Sequence, residues 1–213
     1  MYKRQDLLRL DHFRGLAGYW RVNGNAKSAI CGKWINSPGR TLLKKLRKDL
    51  GGDYLPIIAE DLGVITSDVE KLRDNFKMPG MKILQFAFDG KEDNPYLPKN
   101  IKGENWVVYT GTHDNSTSLS WWESLANDSK ARIKDEYNFS ENPSWSLIKI
   151  GMGTNANLFI APIQDILSLD DSSRLNTPGT TTNNWKWKIN LPLEEIEEDI
   201  RRFSELGNNF LTH

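Results

Sequence analysis

The feature that most constrains this chain is the alternation of short apolar runs with longer amphipathic ones. Five runs read as strands, over residues 7–13, 55–60, 81–88, 106–112 and 157–163. Most are rich in Ile, Val, Leu or aromatic residues, and most follow Pro, Gly or a polar stretch. Segments with helical spacing lie between them. Residues 40–50 put Leu42, Leu43, Leu46 and Leu50 on one face, and residues 66–76 open on Thr66, a good cap, followed by Val69 and Leu72. Residues 120–137 and 193–206 complete the helical set, the last opening after Pro192 with Glu in its first turns. Ile57, Ile58 and Ala59 are apolar at consecutive positions, as a strand covered on both faces must be. The pattern predicts an α/β fold of parallel β-α units. Five candidate strands fall three short of a closed (β/α)8 barrel. No repeat, low-complexity tract or linker interrupts the chain, so the expectation is one unit forming part of such a barrel. Gly151 and Gly153 read as turns, because the lysine and helix of a phosphate loop are missing around them.

Acidic residues gather where the predicted strands end. Asp11 lies late in the first run, Glu60 closes the second, and Asp89 and Asp114 follow the third and fourth. In a parallel barrel those ends open on one face and converge on one pocket. The strand period of two puts Arg9 and Asp11 on the same face, and a neighbouring guanidinium favours an ionised carboxylate, the form a nucleophile needs. A structural ion pair is the competing reading. Glu60 sits between an apolar strand and a capped helix; if partly desolvated near other acids, its pKa would rise and suit it to protonate a leaving oxygen. Read alone, Glu60-Asp61 before a helix is more often a helix-dipole and capping feature. Thr110–Thr117 is a dense run of hydrogen-bonding side chains, apt for sugar hydroxyls. His12, His113 and His213 lack two-His ligand spacing, so no metal is expected.

Lys+Arg and Asp+Glu are both 28, so no charge excess favours nucleic acid or anionic lipid, and a neutral polar ligand is the natural partner. Eight tryptophans offer flat faces for sugar rings, although filling the core is the commoner use of each. Cys31 is the only cysteine, which excludes an internal disulfide and fits a reducing compartment. No apolar run approaches the ~20 residues needed to span a bilayer, and residues 1–10 carry charges where a signal peptide is apolar. The expected location is the cytoplasm, or the plastid stroma in a plant or alga.

Five blocks carry a family resemblance: RLDHFRG at residues 9–15, AEDLG at 59–63, MPGMKILQFAFD at 78–89, YTGTHDN at 109–115 and RLNTPGTTTNNWKWK at 174–188. In these, and in their order, the chain resembles the amylomaltases, the family 77 glycoside hydrolases. The resemblance implies a (β/α)8 barrel with inserted subdomains and 4-alpha-glucanotransferase activity on alpha-1,4-glucans and maltooligosaccharides, with no cofactor. It implies Asp11 as nucleophile, Glu60 as acid/base and Asp114 as third carboxylate. Arg9 and His113 match positions that hold the nucleophile and the donor sugar, with Asp89 and Asn176 as sugar contacts. Family members are much longer, with their first strands before the RLDHFRG block, so the chain is expected to be the C-terminal part of the catalytic domain. A related alpha-glucan hydrolase or branching enzyme, and a binding fragment without turnover, are the alternatives.

Overall fold

The computed structural model describes residues 5–211; His213 and residues 1–4 lie outside the described residues. The chain divides into two compact units, residues 1–81 with 105–107, and residues 82–104 with 108–213. The division cuts through strands rather than a linker, which is why composition gives no sign of it.

In the first unit, β1 (Leu8–Leu10) pairs in parallel with β4 (Ile57–Ala59), and β2 (Gly18–Arg21) pairs antiparallel with β3 (Lys33–Asn36). α1 (Gly39–Leu50) and α2 (Ser67–Asn75) follow β3 and β4. All three residues of β4 are buried, as their unbroken apolar character requires. Ile57 and Ala59 join Phe13, Leu43, Leu55, Val69, Leu72, Phe76 and Met78 in one core cluster. Phe13 is fully buried, a burial that contributes roughly 1.5–3 kcal/mol and fixes the chain just beyond Asp11. Of the leucines of α1 only Leu43 is buried, with Leu46 packed against the same core; Leu42 and Leu50 are exposed, so the inward face is narrower than their spacing suggests. Thr66 holds the N-cap position of α2, but its hydroxyl bonds the Asp68 carboxylate rather than the helix backbone. The β2–β3 hairpin has no counterpart among the predicted strands. Its loop is long and polar, and each strand is too short to show alternation.

The third sheet has the order β5-β6-β7, with β5 (Gly80–Ile83), β6 (Trp106–Tyr109) and β7 (Leu158–Ile160). The predicted run 81–88 leaves the strand at Ile83 and turns through a 3-10 segment, Leu84–Phe86. The predicted helix 120–137 is two helices, α3 (Ser118–Ser124) and α4 (Asn127–Tyr137), broken where Leu125 and Ala126 become extended. α5 (Pro143–Met152) starts on Asn142, whose side chain accepts from the Trp145 amide, with proline at the first helical position. Gly151 therefore lies inside a helix, not in a turn, and a Cβ there would collide with the Phe159 ring. Gly153 is the C-cap residue of α5. α6 (Ile163–Ile166) and the long α7 (Leu193–Leu211) finish the chain. α5, α6 and α7 meet through Trp145, Ile148 and Ile166, with Phe203 and Leu206 packed against them. Of the tryptophans only Trp145 is buried, whereas Trp20, Trp34 and Trp185 are exposed, so core filling is a minority use. Among the described residues no helix is long and apolar enough to cross a membrane.

Candidate functional site

The first unit carries Arg9, Asp11 and Glu60. β1 and β4 run in register, Leu8 with Ile57, Arg9 with Ile58 and Leu10 with Ala59. One step further along both strands stand Asp11 and Glu60. The ladder continues into that step, with the Glu60 amide donating to the Leu10 carbonyl at 3.0 Å and the Phe13 amide to the Glu60 carbonyl at 3.1 Å. Neighbouring strands lie about 4.8 Å apart, so the two acids stand at adjacent strand ends. Arg9 is on the Asp11 face as its parity requires, with Nη2 at 2.9 Å from Asp11 Oδ1 and Nε donating to Met81 Sδ at 3.3 Å. The Asp11 side chain is 75% exposed, far more open than a structural ion pair needs.

His12 turns the chain sharply after Asp11, with φ 49° and ψ 47° in the left-handed region. That conformation costs a non-glycine residue ~1–2 kcal/mol. The His12 amide donates to Glu60 Oε2 at 2.8 Å, and a hydrogen bond to a charged group offsets a cost of this order at ~1.5–3 kcal/mol. Glu60 Oε1 accepts from the Leu62 amide at 3.0 Å, so both oxygens are oriented by backbone while each keeps a further lone pair.

Glu60 and Asp61 divide the two roles that sequence alone left open. Asp61 is the buried one: it bonds Arg73 through Oδ2 and accepts from the Met81 amide through Oδ1 at 2.8 Å. Arg73 lies over the Trp106 ring at 4.6 Å and also pairs with Asp74. Burial works against the charge on Arg73, but hydrogen bonds to Asp74 and Asp61 outweigh it and raise its pKa. A Cβ at Gly80 would strike Asp61, Trp106 and Arg73, so only glycine lets this group close. The structural acid of the pair is Asp61, and Glu60 is left half-exposed at the strand end.

The second unit brings His113, Asp114 and Asn176 together. The loop after β6 is tied within itself: Asn115 Oδ1 accepts from the Thr112 amide at 2.9 Å and the Thr112 hydroxyl at 2.8 Å. Asn176 Nδ2 donates to Asp114 Oδ1 at 2.6 Å, and the Asn176 amide donates to the His113 carbonyl at 3.1 Å. His113 Nε2 stands 3.4 Å from Asp114 Oδ1, and the His113 ring lies 5.0 Å from that of Trp185. Arg174 braces the group, donating to the Asp114 carbonyl at 2.7 Å and to the Ser116 hydroxyl at 3.2 Å. Together these form a half-exposed carboxylate, an imidazole, an amide and an open indole, the donor, acceptor and stacking groups that suit a sugar ring. Arg174 and Trp185 were not singled out from sequence; the signal for Trp185 was an aromatic amid the polar run after Asn176.

Asp89 is used differently. Its Oδ1 accepts from Asn94 Nδ2 and from the Lys91 amide, each at 3.0 Å, and these bonds hold its pKa below the usual carboxylate range. It caps a turn beyond the 3-10 segment rather than ending a strand, and among the described contacts it meets no other predicted site residue. Among the described residues no group of three His, Cys, Asp or Glu is placed to hold a metal ion.

Comparison with known proteins bears on this arrangement. A family described as 4-alpha-glucanotransferase matches residues 1–193. The chain is 47% identical over 185 residues to the 4-alpha-glucanotransferase of Synechocystis, covering 86% of this chain and 36% of that protein. It is 42% identical over 209 residues to the 4-alpha-glucanotransferase of Thermus thermophilus, covering 94% and 41%, and 43% identical over 205 residues to a chloroplastic/amyloplastic one of Arabidopsis thaliana, covering 94% and 35%. Its fold matches an amylomaltase from Streptococcus agalactiae in complex with acarbose, with a TM-score of 0.88 and 33% identity over 98% of this chain and 42% of that one. The chain thus spans well under half the length of the relatives it matches.

Proposed function

This chain belongs to the 4-alpha-glucanotransferase family, and from that premise we propose that it supplies the carboxylates of a retaining alpha-1,4-glucan transfer on part of a (β/α)8 barrel. The observation that carries the reading is the register of β1 and β4, which sets Asp11 and Glu60 at adjacent strand ends. Retaining glycosidases hold their two carboxyl groups about 5–5.5 Å apart and inverting ones ~6.5–9.5 Å. A strand spacing of about 4.8 Å suits the first.

In the proposed reaction an Asp11 oxygen attacks the anomeric carbon while the bond to the departing glucan oxygen breaks and Glu60 gives that oxygen a proton. The products of this step are a glycosyl ester on Asp11 and a free reducing-end piece. Glu60, now a carboxylate, takes the proton of an acceptor 4-hydroxyl, whose oxygen bonds the anomeric carbon as the ester bond breaks. Two inversions restore the alpha configuration. Arg9, 2.9 Å from Asp11 Oδ1, holds the carboxylate aimed. Asp114, with His113 and Asn176, accepts hydrogen bonds from donor-sugar hydroxyls that strengthen as the ring flattens.

The test is incubation with maltotriose. Transfer yields glucose together with longer maltodextrins, whereas shorter sugars alone indicate hydrolysis and new alpha-1,6 linkages indicate branching, either of which overturns the proposal. Asp11→Asn keeps an acceptor for Arg9 and lowers transfer at least about 10³-fold. Turnover near the wild-type level in that variant removes Asp11 from the reaction.

A further inference from the structure

Asp165 is nearly inaccessible at 1% exposure and takes no part in the chemistry above. Its carboxylate nevertheless touches both ends of one loop. Oδ2 accepts from the Thr110 hydroxyl at 2.5 Å, where the chain leaves β6. Oδ1 accepts from the Ser118 amide at 2.7 Å, and Oδ2 accepts from the Ser118 hydroxyl at 2.7 Å, where α3 begins. Thr110 and Ser118 are themselves fully buried. Between them run Gly111 to Thr117, with His113 and Asp114 at the outer turn.

A cavity of about 40 Å³ borders the loop, lined by His113, Asn115, Ser116, Asp165 and Arg174 among others, and polar anchors hold the loop at its ends and along its length. Those along its length are the Gln85 side chain on the Ser116 carbonyl at 2.9 Å, Asp171 on the Thr117 amide at 2.8 Å, and Arg174. Asp165 is the anchor that joins the two ends. Burial pushes its carboxyl above the ordinary range, against the bonds from Thr110 and Ser118 that lower it; a buried acid kept at such a cost is being used for what it holds.

We propose that Asp165 is a positioning residue, which clamps the start and end of the Thr110–Ser118 loop and thereby sets where Asp114 and His113 stand. The proposal rests on the reading of Asp114 as a carboxylate of the transfer reaction, and its test separates the two. Asp165→Asn is close to isosteric. Its oxygen accepts from the Ser118 amide and its amide group donates to the two hydroxyls, which rotate to accept. Asp165→Ala leaves all three groups without a partner.

Hydrogen exchange is followed by peptide mass spectrometry in the intact chain. In Asp165→Ala, amides of residues 111–118 exchange about ten-fold or more faster while those of β6 and α5 stay as in the wild type. In Asp165→Asn they return to within about threefold of it. With maltotriose, Asp165→Ala lowers kcat about ten-fold or more and shifts KM by less than about threefold, as misplacement of a group used in the transition state requires. Uniform loosening of the whole unit, unchanged exchange in the loop, or failure of Asp165→Asn to restore it each overturns the clamp. Should Asp165→Ala not fold, Thr110→Val cuts one end alone. Faster exchange confined to residues 111–114 supports the proposal there, and an unchanged loop overturns it. An Asp114→Asn variant that transfers normally refutes the role of Asp114 and leaves the exchange result standing.

Discussion

Replacing Asp61 by Ala tests the division of labour between the two acids after β4. The substitution removes the buried partner of Arg73 and the acceptor of the Met81 amide. Both side chains of the pair are nearly closed to water, Arg73 at 10% and Asp61 at 5%, so little of the interaction is screened. Breaking one side of a buried pair costs ~3–5 kcal/mol. Arg73 keeps the more exposed Asp74 and the Trp106 face, which places the loss near the lower end, about 3 kcal/mol. At about 2–4 °C per kcal/mol for a chain of this size, the melting transition falls by about 6–12 °C. Calorimetry is the suitable assay, because two compact units need not melt together and only the transition of the first should move. Adding Arg73→Ala to Asp61→Ala should then cost less than the sum of the two single changes by about 1.5 kcal/mol or more. A fall of under about 2 °C, or simple additivity, refutes the claim that this pair locks the strand end behind Glu60.

Two further outcomes follow from the same kind of accounting. Because burial raises the folded-state pKa of Asp165, the folded protein binds more protons than the unfolded chain between the ordinary carboxylate pKa and the raised one. Stability from this group is full below that window and is lost as pH rises through it, so the denaturation midpoint of Asp165→Asn should gain on the wild type with rising pH there. A pH-independent gap measured by urea titration contradicts this. Gly39→Ala would bring a Cβ against the Leu16 carbonyl oxygen and to 2.7 Å from Leu16 Cβ. It should destabilise the first unit by about 1–3 kcal/mol in denaturant titration, because backbone rather than a flexible side chain must give way; an unchanged midpoint shows that α1 is free to shift.

How far the fold was legible depended on whether a segment's signal was complete within itself. β4 and β6 are legible as unbroken apolar runs, and all their residues but Trp106 are buried. α5 carries start signals in Asn142, Pro143 and the apolar run from Trp145, but Gly151 and Gly153 read as turn residues and mask it. Gly151 is inside the helix for a reason invisible in one dimension, the approach of the Phe159 ring. The same limit applies to the candidate site. The Arg9–Asp11 pairing follows from strand parity and is local. The placing of Asp11 and Glu60 at adjacent strand ends requires the register of two strands far apart in sequence, and the bonds of Asp165 to Thr110 and Ser118 require a residue from a third place. No spacing rule reaches either.

The two units share one physical arrangement. Asp11 and Glu60 are open to solvent to different degrees, and Asp114 is open as well. An acid of this kind is useful only if it does not wander, yet the bonds that would fix its own oxygens also compete with substrate for them. The fold meets this by tying down the backbone on either side with acids that are themselves buried. Asp61 secures the residue after Glu60 against Arg73 and the Met81 amide, and Asp165 secures both ends of the loop that carries Asp114. The buried carboxylates take the desolvation cost and the exposed ones keep free lone pairs. The position of an exposed acid is thus held by the burial of another. On the proposed roles, making the buried acid apolar while keeping the exposed one should lower turnover and leave substrate binding unchanged.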